Sequence, residues 1–217
     1  MVLHHGDLKE AIARLPLERR LVIMPLLDED QVGPASIDLR LGTDFIELHR
    51  LERETLDPME NESPAQIREE RLVVPLGEHL ILHPGHFILG ASLEFLRMPL
   101  DLAGQVLNRS SWARMGLMVA TAVFVQPGYS GVLTLELVNM GNVPMKLRPG
   151  LRIAQLVVMQ MGGDTSKGYD KIGAKYSAPL GPQSTRMGSE SDEWKRLQRI
   201  GSTLRGATGG GGKVAGH

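Results

Sequence analysis

Apolar residues recur along this chain with two periods, and the change of period divides it. Leu8, Ile12 and Leu15 fall at helical spacing behind Asp7, so the N-terminal segment is predicted to be a short helix with Asp7 as its cap. Leu21–Met24 is a brief apolar run stopped by Pro25. From Ser36 the period becomes two. Ser36-Ile37-Asp38-Leu39-Arg40-Leu41 alternates polar and apolar and predicts a half-buried strand ended by Gly42, and Thr43–Leu48 predicts another. Residues 50–70 are rich in Glu, Arg and Pro with little periodicity and read as a surface excursion.

Between Leu72 and Met161 come many short strand-like runs, punctuated by Pro84-Gly85, Pro127-Gly128, Gly141-Asn142 and Pro149-Gly150. Turns spaced by roughly 8–12 residues predict an all-β sandwich or barrel. No internal repeat of fixed period is present. Gly162–Met187 is polar and Gly-rich and reads as an arm carrying Tyr169, Lys175 and Tyr176. Residues 189–200 predict a short helix, capped by Ser189 or Ser191 with Trp194 and Leu197 on one side, and the final GATGGGGKVAGH is too glycine-rich to order itself. The division expected is therefore a β domain over 1–162, an arm over 163–187, and a short helix with a flexible tail over 188–217.

Composition changes the picture mainly by exclusion. Aromatics are only 4% of the 217 residues, so Leu, Val, Ile and Met must fill the core. Lys plus Arg is 24 against 25 for Asp plus Glu, so no global field draws the chain to nucleic acid or to an acidic membrane. An anion must be held by a local cluster. The absence of cysteine excludes disulfides, a thiolate nucleophile and the zinc deaminase signature, and suits a reducing cytoplasm. No signal-type N-terminus and no apolar stretch near 18 residues are present, so no membrane span is expected. The common Gly-rich phosphate cradles are missing. His79, His83 and His86 lie close together, but Pro84-Gly85 would break a ligand-bearing helix, so no metal site is expected there. The methionines read as core and interface filler.

Three segments carry candidate chemistry. Asn108-Arg109-Ser110-Ser111-Trp112-Ala113-Arg114 sets two guanidiniums beside two hydroxyls, a donor set suited to phosphate or carboxylate. Alone, such a string is more often a solvated loop with a serine cap. Gln126-Pro127-Gly128-Tyr129-Ser130-Gly131 is a tight turn that could offer Tyr129 to a sugar or base, or simply bury part of its ring. Glu136 stands in the alternating strand Val132–Val138, where Thr134 and Glu136 share a face with Val132 and Val138 and the leucines take the other. On a solvated face it is inert. In a partly dehydrated site its pKa rises, which suits a general base.

Taken in order, Ser36–Gly42, His83-Pro84-Gly85, Arg109–Leu117, Pro127–Gly131 with Leu135-Glu136, and Arg148–Leu156 closely resemble the dCTP deaminases of the trimeric dUTPase-like superfamily. The resemblance runs from about residue 7 to 186 and includes Lys175-Tyr176 and Gly181-Pro182 of the arm. It implies a distorted, jelly-roll-like β-barrel with a short N-terminal helix and a C-terminal arm, assembled as a homotrimer with active sites between subunits. It implies hydrolysis of dCTP to dUTP and ammonia, with Mg²⁺ bound through the triphosphate and no zinc. Residue by residue, Glu136 matches the catalytic glutamate, Arg114 the arginine beside the reacting centre, and Ser110 the serine that positions water. Ala122 matches a carbonyl near that water. Arg109 and Ser111 match triphosphate contacts, with Trp112 and Ala113 between them and Arg114. Thr134 and Leu135 match backbone contacts to the base, Gln155 a glutamine at the nucleotide, and Tyr169 and Lys175 arm contacts to the phosphates.

This sequence departs from the pattern in three places. Gln126 stands where many members, and the dUTPases, carry an Asp that in dUTPases activates the water attacking phosphate. Gln cannot act as a base. Met118–Ala122 is about one residue shorter than in some relatives, in a loop that shifts in the family's dTTP-inhibited state, and Pro179 stands near where the family usually has an arm glutamine that contacts phosphate. The expected product is therefore dUTP. The alternatives are a bifunctional enzyme forming dUMP, a non-catalytic nucleotide-binding homologue, and a plain dUTPase.

Overall fold

The structure is a computed structural model and describes residues 1–50, 67–120, 124–165, 168–169, 179–184 and 188–207. Two compact units result, one of residues 1–49 and 69–184, the other of 50–68 and 185–217. The first opens with helix α1 (His5–Ala13), strand β1 (Val22–Met24) and the long strand β2 (Ile37–Arg50). There follow β3 (Ile67–Val73), β4 (Leu80–Leu82), β5 (Phe87–Arg97), β6 (Leu102–Asn108), the single-turn helix α2 (Ser110–Arg114), β7 (Leu117–Ala120) and β8 (Phe124–Val125). The last strands are β9 (Ser130–Asn139), β10 (Met145–Leu147) and β11 (Arg152–Gln160). The architecture is mainly β with a short N-terminal helix, the class that the alternation predicts.

One nine-stranded sheet runs in the order β7-β9-β5-β2-β11-β6-β8, with β1 added on β5 and β3 on β2. Its two ends approach each other: Asn108 at the end of β6 donates from Nδ2 to the Leu117 carbonyl at the start of β7 (2.7 Å). The sheet thus curls into a barrel-like shell around an aliphatic core. Leu39, Leu41, Leu96, Leu133, Leu135, Leu137 and Leu156 are buried there, with Phe45 the one aromatic among the largest fully buried side chains of the described residues. Strand β9 shows the predicted alternation throughout, buried on the leucine face and half-buried on the face of Thr134 and Glu136.

Three local expectations are corrected. Asp7 does not cap α1. His4 does, accepting the Asp7 N–H at Nδ1 (3.1 Å), while the Asp7 carboxylate accepts the His4 N–H, because the helix begins two residues before Asp7. Gly42 does not end a strand. β2 runs through it, and the register against β5 shifts between Leu41 and Phe45. A Cβ at Gly42 would stand 3.0 Å from the Ala91 carbonyl oxygen, so the glycine permits a close backbone approach at this bulge. Within the surface excursion expected over 50–70, residues from Ile67 onward belong to β3, which lies along β2, and residues 51–66 are outside the described residues.

In the second unit, helix α3 (Gly188–Ala207) begins before the predicted serine caps and extends past residue 200, with Trp194, Leu197 and Ile200 exposed. The Gly-rich tail from 208 onward is outside the described residues. Among the described residues no helix is long and apolar enough to cross a membrane.

Candidate active site

Strand β6 delivers its last residue, Asn108, to a one-turn helix that carries the Arg-Ser-Ser cluster. Arg109 is the N-cap of α2 and makes no side-chain capping bond, so neither Ser110 nor Ser111 caps the helix. The helix is held against β11: the Arg109 N–H donates to the Ile153 carbonyl (3.2 Å), and Trp112 Nε1 donates to the Arg152 carbonyl (2.9 Å). Ser110, Ser111, Ala113 and Arg114 are exposed. Arg109 is half-buried, and its guanidinium donates to Asp38 Oδ2 at 3.0 Å. Gln155 on β11 is the cross-strand partner of Asp38 and accepts the Ser36 hydroxyl at 3.5 Å. Arg109, Trp112 and Gln155 therefore gather at one end of β11.

Glu136 lies elsewhere on the sheet. It is paired with Leu89 on β5 and Ala120 on β7. It is half-buried, its carboxyl makes no hydrogen bond among the described residues, and burial pushes that carboxyl above the ordinary 4.5. Desolvation without a compensating donor is the condition for a carboxylate that accepts a proton near neutral pH. Leu135 turns its side chain fully into the core, so only its backbone is free to meet a ligand. Thr134 accepts the Gln183 N–H at Oγ1 (3.0 Å).

The third group surrounds the Pro-Gly turn. Gly128 has φ +80°, which the turn requires, and the Tyr129 N–H closes it on the Gln126 carbonyl (3.1 Å). Gln126 is exposed. Tyr129 does not offer its ring to a ligand. It is buried, donates its hydroxyl to the Val132 carbonyl (2.7 Å), and burial raises its pKa. Its ring packs on Tyr169 with centroids 5.6 Å apart, and the Tyr169 N–H donates to the Pro127 carbonyl (2.8 Å). The described arm residues thus follow the start of β9, where the Val132 N–H also donates to the Pro179 carbonyl (2.9 Å). Ala122 and Lys175 are outside the described residues.

Sequence reasoning missed a chain of alternating charges behind Arg109. Asp38 Oδ2 also accepts from Arg152 (3.3 Å), and Arg152 donates in turn to Asp28. Asp28 pairs with Arg40 (2.6 Å), and Arg40 with the fully buried Glu94 (3.3 Å). Gln31 ties the inner end, donating to Glu94 (2.8 Å) and to the Asp38 carbonyl (2.9 Å). The hydrogen bond from Arg152, with both guanidiniums adding attraction, holds the Asp28 carboxyl below the usual range. The one available signal was the strand pattern Asp38-Leu39-Arg40, which puts both charged residues on one face.

Comparisons with known proteins identify the family. The model of a family described as dCTP deaminase-like matches residues 8–161. A Halorubrum lacusprofundi protein named dCTP deaminase is 41% identical over 88% of this chain and 94% of its own length. A Halobacterium salinarum protein named dCTP deaminase, dUMP-forming is 42% identical over 86% of the chain and 95% of its own length. One from Methanobrevibacter smithii with the same dUMP-forming name is 39% identical over 78% and 89%. A crystal structure of 2′-deoxycytidine 5′-triphosphate deaminase from Agrobacterium tumefaciens shares the fold, with a TM-score of 0.53 and 24% identity over 72% of this chain and 47% of that one. With the family model spanning most of its length and its relatives aligned nearly end to end, the chain belongs to the dCTP deaminase-like family.

Proposed function

We propose that this protein hydrolyses the 4-amino group of dCTP with Glu136 as general base, and that it carries the product on to dUMP and pyrophosphate. The observation that carries the first half is the half-buried Glu136 on β9, whose carboxyl has no hydrogen-bond partner among the described residues. In this reading water attacks C4 of the cytosine. Glu136 takes one proton from the attacking water and passes it to N3, then takes the second from the new C4 hydroxyl and passes it to the amine, which leaves as ammonia as the C4 carbonyl forms. Ser110 positions the water, Arg114 faces the reacting centre, and the backbone at Thr134, Leu135 and Ala122 orders base and water. Arg109, Ser111, Gln155, Tyr169 and Lys175 hold sugar and phosphates. Arginine forks and serine hydroxyls suit phosphate oxygens, so Mg²⁺ would ride on the triphosphate and neutralise part of its charge.

The same reading makes the protein a homotrimer with shared sites. What supports this is the resemblance, together with a chain rich in Leu, Val and Met and poor in aromatics, which suits a broad aliphatic interface. The names of two of the three relatives above favour dUMP as product. A reading that stops at dUTP is favoured by Gln126, which cannot activate a water for attack on phosphate. Incubation with dCTP and Mg²⁺, followed by separation of dUTP from dUMP and assay of pyrophosphate, tests both. Stoichiometric dUMP supports the proposal, dUTP alone returns the product to the Gln126 reading, and no uridine nucleotide overturns both.

A further inference from the structure

Arg109 and Arg152 point donors at the same atom. Their Nη1 groups lie 3.0 and 3.3 Å from Asp38 Oδ2. Two guanidiniums that close repel unless a carboxylate stands between them, and here one does. Asp38 is itself firmly held. It sits on β2 opposite Gln155 of β11, its carbonyl accepts from Gln31, and its side chain is only 15% exposed. Arg152 is braced from its far side by Asp28, which Arg40 and Glu94 fix to the core. The three guanidiniums of this chain grow more exposed outward, from 6% at Arg40 to 26% at Arg152 and 34% at Arg109, while the carboxylates between them, Asp28 and Asp38, are 41% and 15% exposed. Of these three guanidiniums, Arg109 and Arg152 are the ones open to an anion, and the exposed Ser110 and Ser111 follow Arg109 in the chain.

We infer that Asp38 is a positioning residue that presents Arg109 and Arg152 as one paired grip for the triphosphate, which makes Arg152 a phosphate ligand beyond those matched by resemblance. The inference rests on the phosphate role proposed for Arg109. Two planar forks fixed side by side offer donors to neighbouring phosphoryl groups without ordering either side chain on binding. Asp38 never touches the nucleotide.

The test uses the full-length protein and inorganic tripolyphosphate as probe, titrated by calorimetry alongside steady-state kinetics with dCTP. Asp38→Asn is expected to weaken tripolyphosphate binding and raise KM for dCTP by about tenfold, the low end of what loss of an outer-shell carboxylate costs at metal sites. kcat should change little, because the grip is the same in ground and transition states. Arg152→Gln should weaken tripolyphosphate binding likewise. Affinity for deoxycytidine, which has no phosphate, should stay unchanged in both, a pattern that general loosening of the fold would not give. Unchanged or tighter tripolyphosphate binding by Asp38→Asn overturns the inference, since a carboxylate that only occupied the guanidiniums would compete with the anion. If Asp38→Asn does not fold, unchanged binding by Arg152→Gln overturns it alone. A wild type that binds tripolyphosphate but does not deaminate dCTP would defeat the proposed activity, and the two variants would still decide the grip.

Discussion

Leu93-Glu94-Phe95 in β5 and Leu135-Glu136-Leu137 in β9 are nearly the same word, a lone carboxylate between large apolar residues. The fold gives them opposite fates. At β5 the register against β9 shifts between Ala91 and Phe95, and the Ser92 hydroxyl bridges the bulge, donating to the Glu94 carbonyl (2.7 Å) and accepting the Leu133 N–H (2.9 Å). The bulge leaves Glu94 on the buried side with Ser92 and Leu96. There it accepts the Arg40 N–H (2.8 Å), the Gln31 amide (2.8 Å) and the Arg40 guanidinium. Glu136 keeps regular alternation and stays on the half-buried face, with no such donors among the described residues. Burial raises the pKa of both carboxyls. What separates a structural carboxylate from a candidate base is therefore the supply of donors around it, not dehydration itself.

The comparison is broken most severely at Glu94. Glu94→Ala leaves Arg40, 6% exposed, without its innermost counter-charge. Removing one partner of a buried pair costs about 3–5 kcal/mol, so urea unfolding should show a loss of that order. A loss no larger than that of a surface substitution would show that the charge chain does not support the fold. Glu136→Gln should do the reverse. Its unfolding midpoint should equal or exceed that of wild type, while kcat for dCTP falls at least about a hundredfold, the lower end of a general base's contribution, with nucleotide binding retained. Turnover above that level would remove Glu136 from the base role.

A pH series sharpens the difference without breaking it. Because the folded-state pKa of Glu136 lies above its ordinary 4.5, the native protein binds more protons than the unfolded chain between those values. Its stabilising contribution is complete below 4.5 and is lost as pH rises through the folded value. The stability of Glu136→Gln relative to wild type should therefore increase from acid to neutral pH. The acid limb of kcat/KM, which reports the free enzyme, should lie above the ordinary carboxylate value, since Glu136 must be ionised to accept a proton. A difference in stability that is flat across this range would contradict the raised pKa.

Much of this was legible in the chain. Alternation around Glu136 placed it on the correct face, and Pro127-Gly128 gave the turn. The Arg-Ser-Ser string was found, though not its attachment to β11, which depends on a tryptophan bonding a carbonyl forty residues away. Glu94 was overlooked although its neighbours look like those of Glu136. Its phase is set by a bulge, and its partner Arg40 is 54 residues distant. The half-buried strand predicted at Ser36–Leu41 left the partners of Asp38 and Arg40 unread, because alternation reports which residues share a face and not what covers that face. Gly42 read as a stop because a glycine inside a strand marks either an end or a close approach, and only the neighbouring strand distinguishes them.

The sheet order sets a timetable for the growing chain. β2 lies between β5 and β11, so its second neighbour is among the last strands synthesised. Arg152 follows Asp38 by 114 residues, about 6–23 s of synthesis at ribosomal rates of roughly 5–20 residues per second. Through that interval one edge of β2 waits unpaired, with Asp38 short of one of its two arginines. A nascent chain of this protein thus exposes a strand edge that a chaperone can hold or another nascent chain can join, and truncation before β11 should produce aggregation instead of a smaller folded domain.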